Sequence, residues 1–279
     1  MAGGTSCGNC LINLASTGTA LTRSWLQRQV GTFPRPTRLG VVMTIPTTFP
    51  IFVDGAPHRP DPRLAESLKT HIADAAFPCV GAKSALAQDG LSIETARDIT
   101  RDDDDRRIHR ALARWSRAAR GQVSGFRSLA VVFGEPERLD ERAFEEALWD
   151  RLSCLAALDR EAGFLPEPGY STDPESPDFA LSFGGKAYFA VGLHPNASRT
   201  ARRMPFPAIV FNLHDQFTRL RAEGRYERMR AVILSRDAAQ DGAPNPMLAR
   251  HGTSSEARQY SGRMVGKGWV CPFAPEGNA

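Results

Sequence analysis

Polar and apolar positions mark out the elements of this chain before any single residue is considered. In DPRLAESLKTHIADA (61–75) the apolar residues fall at helical spacing behind an Asp-Pro start, and Phe77-Pro78 closes the segment, which predicts a helix. Residues 80–119 also read as mostly helical, with DDDDRR (102–107) as a solvated charged stretch. FRSLAVVFG (126–134) is β-branched and apolar and ends at Gly134 and Pro136, the signature of a strand. DERAFEEALWDRLSCLAALDREA (140–162) is the clearest helix. Asp140 stands at its N-cap, and Phe144, Leu148, Leu152, Leu155 and Leu158 share one stripe, with Cys154 as a small core residue. After a Pro-rich loop (165–178), short strands are expected at 179–183, 187–193 and 207–212. Residues 213–231 read as helix broken near Gly224, VILSR (232–236) as a short strand, and the tail from 241 as irregular.

Helices, then adjacent short strands, then helix again is the order of an α+β protein. The expectation is a single domain over 43–279 whose small, mostly antiparallel sheet is packed by helices. The 279 residues, 42% hydrophobic, suffice for a buried core, and no run of eighteen apolar residues suggests a membrane helix. Residues 1–42 hold Arg23, Arg28, Arg35 and Arg38 and no acid, a composition shared with transit peptides. Met43 opens an ordinary-looking N-terminus, so 1–42 is read as a disordered or non-native extension. Without its four arginines, 31 basic residues face 31 acidic ones, and a neutral body argues against a nucleic-acid partner. Cys7 and Cys10 make a lone C-x-x-C, and Cys79, Cys154 and Cys271 form no disulfide framework, which points to a reducing cytoplasm.

Candidate chemistry gathers in four places. GLHPNASRTARR ends a predicted strand with His194 and follows it with Arg199, Arg202 and Arg203, whose guanidinium forks suit carboxylates or phosphates. VFNLHDQF adds Asn212, His214 and Asp215 at a strand-to-helix junction. The tail is dense in Glu256, Arg258, Gln259, Tyr260 and Arg263 and carries Trp269 and Phe273, which would pin it as a binding loop. Cys79 precedes a helix start, where the dipole favours a thiolate. SFGGKA (182–187) is a glycine turn, and no zinc, P-loop or nucleophile-elbow motif occurs.

FPCVGAKSAL, GLHPNASRTARR, VFNLHDQF, NPML and SEARQYSGR…WVCPF, in that order, resemble the YqcI/YcgG family over roughly residues 60–273. Members with an assigned activity are heme-dependent N-hydroxylases of guanidino compounds. The resemblance implies heme b, L-arginine, dioxygen and an external electron donor as cofactor and partners, in the cytoplasm and away from membranes. It also implies roles. His194 would ligate iron, with His214 and then Cys79 as alternatives. Arg199, Arg202, Arg203 and His214 would hold the cofactor, Glu256 and Tyr260 would be catalytic, and Asn212, Asp215 and Gln259 would contact substrate. A heme carrier or sensor, and a non-heme module binding phosphate or carboxylate, stay open beside the enzyme.

Overall fold

A computed structural model describes residues 58–121, 125–248 and 252–274, so the readings of residues 1–42, Cys7 and Cys10 included, lie outside the described residues. Five strands make one sheet in the order β1 (Leu91–Asp98), β2 (Ser128–Glu135), β5 (Ala208–Leu213), β4 (Lys186–Leu193) and β3 (Leu181–Phe183). The β1–β2 pair is parallel and the other pairings are antiparallel. Parallel neighbours need a crossover, supplied here by helix α3 (Asp105–Ala119). The β3–β4 hairpin needs only Gly184 and Gly185, both at positive φ, as a two-residue primed turn requires. At Gly184 a Cβ would also come within 2.9 Å of Ser116 Cβ.

Alternation along β2 divides the core. Leu129, Val131 and Phe133 face α3 and α4 (Glu141–Glu161), packing with Phe144, Leu148, Trp149 and Leu152. Ala130 and Val132 face the other way, toward Leu64, Leu68 and Ile72 of α1 (Pro62–Ala73) and Phe77. Asp61 and Asp140 accept hydrogen bonds from Arg63 N and Ala143 N and so start α1 and α4. The irregular tail is fixed to α4, with the rings of Trp269 and Phe273 6.3 and 6.0 Å from that of Trp149. Buried Glu145 accepts from Ser261 at 3.0 Å and pairs with Arg263.

Three expectations need correction. Leu91–Asp98, within the stretch read as helical, is strand β1, because an edge strand covered on one face carries only a weak period-two signal. VILSR is not a strand but the middle of α6 (Tyr226–Asp241). DDDDRR is not wholly solvated: Asp104 accepts from Arg97 N at 2.8 Å, and Asp105 is buried 3.5 Å from Arg151. Burial pushes the Asp105 carboxyl up to about 7, against the pull of Arg151. Among the described residues no helix is long and apolar enough to cross a membrane.

The tightest packing of sheet on helix is at Gly192, where a Cβ would lie 2.7 Å from both Leu148 Cδ1 and Phe144 Cε1. Gly192→Ala is expected to lower stability by about 1–3 kcal/mol through overpacking. Urea denaturation checks this, and an unchanged midpoint would mean that α4 yields freely.

Candidate functional site

A cavity of ≈ 240 Å³ opens on the sheet face that carries Val191 and Leu193. Phe189, Val191 and Leu193, successive same-face residues of β4, line it. Helix α6 forms the facing wall: Tyr226, Met229, Arg230, Ile233, Leu234 and Asp237 recur at helical spacing and all line the cavity. Only Asp237 of that helix is fully buried, so α6 packs against the cavity more than against the core.

His214 reaches the cavity because β5 ends at Leu213 and the next residue opens α5 (His214–Ala222). The imidazole is buried among aromatic rings, with Tyr170, Phe217 and Phe189 at 4.9, 6.4 and 6.5 Å between centroids. Its Nε2 lies 3.4 Å from Oε2 of Glu256. Glu256 opens the 3₁₀ turn Glu256–Gln259, started by Ser255, whose hydroxyl accepts from Ala257 N. Gln259, from the same turn, also lines the cavity.

The three loop arginines are spent on the protein itself. Arg199 pairs with Asp237 and, at 3.1 Å, with Asp241, and so fastens the C-terminal half of α6. Arg202 lines the cavity but donates to the carbonyls of Gly192, Tyr260 and Gln259. Burial draws its guanidinium down to about 10, still charged at neutral pH. Arg203 donates to the carbonyls of Ala197 and Ser198 and is not part of the wall. The expected clamp is therefore a set of structural ties. Two arginines that sequence reading passed over, Arg221 and Arg230, line the cavity instead. For Arg230 the available signal was its place on the α6 stripe, which reading VILSR as a strand concealed; Arg221 lies near the end of α5.

The other expected residues divide. His194 does not reach the cavity: as the residue after Leu193 it points through the opposite face and stacks on Phe144 at 4.3 Å. Tyr260 lies on that same side, stacked on Trp149 at 5.6 Å in the core, and burial holds its phenol well above the usual range. Asp215, next to His214 but turned away, lies beside Gln216 and Arg219 outside the cavity. Asn212 lines the cavity, with its amide engaged by Ser128 Oγ at 2.6 Å and Phe189 O at 3.4 Å. Cys79 lines it too and caps α2 (Val80–Ala87), yet burial outweighs the helix N–H groups and raises its thiol, against the expected thiolate. Among the described residues no group of three His, Cys, Asp or Glu could hold a metal ion.

Burial depresses the His194 pKa from 6.5 to about 4. The neutral ring is the folded form, so its contribution to stability is present above pH 6.5 and is lost as pH falls toward 4. The loss is expected to reach up to about 3 kcal/mol. Asp105, raised in the folded state, changes stability in the opposite sense over this range, so the test is a difference between two proteins. Urea denaturation from pH 7 to 4 should show the wild type losing stability relative to His194→Gln as the pH falls. Parallel profiles would refute the assignment.

Comparison with curated proteins and with solved structures finds no match. The model of the YqcI/YcgG family matches residues 68–274, a span that takes in the sheet, the cavity and the tail that closes it. The chain belongs to the YqcI/YcgG family.

Proposed function

We propose that this protein is a heme-dependent monooxygenase that converts L-arginine to Nω-hydroxy-L-arginine in D-cycloserine biosynthesis. The observation that carries the reading is the cavity: mostly apolar walls closed around one buried imidazole, the donor set a heme needs. Family membership supports the same chemistry. His214 is the residue we assign to the iron, in place of His194, with Cys79 as the alternative on the same cavity. Val191, Leu193, Phe217, Met229 and Ile233 would cover the macrocycle. At ≈ 240 Å³ the cavity is smaller than a heme, so binding would have to open it, and α6 is the wall with the least packing to give up.

When bound, heme supplies oxygen activation: one atom of dioxygen goes into a guanidine N–H bond and the other leaves as water, using two external electrons and two protons. Glu256 is assigned to holding the His214 ring, because a carboxylate beside a ligating imidazole fixes its tautomer and orientation. The Glu256 carboxylate would thus be engaged by the imidazole if His214 held the iron. The Gln259 amide then remains as the acceptor for guanidinium N–H groups, and the apolar walls keep water from the reacting nitrogen.

Hemin added to the purified chain should produce a Soret band, and incubation with L-arginine, oxygen and a reductant should yield the hydroxylated product. His214→Ala should lose the band while His194→Ala and Cys79→Ser keep it. No band in the wild type sinks the reading. A band without product leaves a heme carrier or sensor, and product only from other guanidines keeps the reaction but removes L-arginine.

A further inference from the structure

Two cavity arginines lie outside every role given so far. Arg221 is near the end of α5 and Arg230 is in the first half of α6, and between them Gly224, at φ +65, turns the chain. The turn brings both side chains to Tyr226, with Arg221 Cζ 5.6 Å from the ring centroid. Burial, Glu256 and Glu227 push the Tyr226 phenol up while Arg221 and Arg230 pull it down, so two charges of each sign act on this elbow.

Each guanidinium uses one terminal nitrogen: Arg221 donates to Thr218 Oγ1 at 3.0 Å and Arg230 to the carbonyl of Leu248 at 2.8 Å. Both acceptors are neutral. Arg199 differs, because its charge is met by Asp237 and Asp241. Glu227 is exposed and off the cavity wall, so on the cavity side Arg221 and Arg230 share the carboxylate of Glu256, and the lining as a whole carries four arginines against two acids, Asp237 and Glu256. We propose that Arg221 and Arg230 form a carboxylate-binding subsite that receives the α-carboxylate of an amino-acid ligand. Arginine forks bind carboxylates in pairs of parallel hydrogen bonds, and Tyr226 adds a hydroxyl donor beside them. Heme propionates are the other source of this chemistry, but they come as two, and with Arg199 and Arg202 committed to the protein the elbow offers one site, which suits one carboxylate better.

The subsite rests on the proposed function only for the choice of a guanidino ligand. Calorimetry with L-arginine and with agmatine, the same guanidine lacking the carboxylate, tests it on the wild type, Arg221→Gln and Arg230→Gln, with and without hemin. The wild type should prefer L-arginine by about 10- to 100-fold. Each glutamine variant should lose most of that preference while its agmatine and hemin affinities stay nearly unchanged. If a glutamine variant does not fold, Arg→Lys at the same position replaces it and should keep only part of the preference. A wild type indifferent to the carboxylate, or variants that keep the preference, would overturn the proposal. So would variants that lose hemin and keep the preference, which would assign the arginines to propionates. A chain that prefers L-arginine yet shows no Soret band with hemin would uphold the subsite and end the heme reading.

Discussion

The guanidinium of Arg202 is the contact on which the rest of the site depends. It is buried, and its donors go to carbonyls of Gly192 in β4 and of Gln259 and Tyr260 in the tail. Beside it Gly192 N donates to Tyr260 O at 2.7 Å, and His194 N donates to Arg202 O at 3.0 Å. One cation therefore joins a strand, the loop after it and a segment almost sixty residues later in the chain. Burying a charge is costly unless it is hydrogen-bonded, and three carbonyls take up both terminal nitrogens of the guanidinium. Glu256 and Gln259 reach the cavity because this tie holds their turn against the sheet.

The sheet then sorts the histidines. His194 and Leu193 are adjacent in sequence, but strand alternation puts them on opposite faces, one on Phe144 and one on the cavity. His214 escapes this because the strand ends at Leu213 and the helix that follows changes the direction of its side chain. Its neighbour Asp215 falls on the other side of the same helix start. A one-residue difference in phase thus separates a cavity residue from one outside the cavity twice within the same fold.

The α6 helix occupies an intermediate position between core and surface. Its stripe faces the cavity, its C-terminal half is tied by Arg199 to Asp237 and Asp241, and Thr200 donates to Asp241 at 2.6 Å. The loop whose arginines looked made for a ligand instead fastens the wall of the site. Two further cavity arginines, Arg221 and Arg230, came from α5 and α6, helices whose sequences look like ordinary amphipathic surface.

What the sequence determined by itself was local. Periodicity and caps marked α1 and α4, the hairpin glycines marked β3–β4, and Trp269 and Phe273 marked a tail that packs. The candidate segments were legible as well, since Cys79, Arg199, Arg202, Asn212, His214, Glu256 and Gln259 all line one cavity. The tertiary structure decided which atoms face it. Strand phase removed His194, stacking on Trp149 in the core removed Tyr260, helix phase removed Asp215, and ion pairing to residues some forty positions away occupied Arg199. Residue type and spacing state what a side chain can bind. Only the packed chain states whether its capacity is already used, because the competing partners are brought together by contacts that no local pattern encodes.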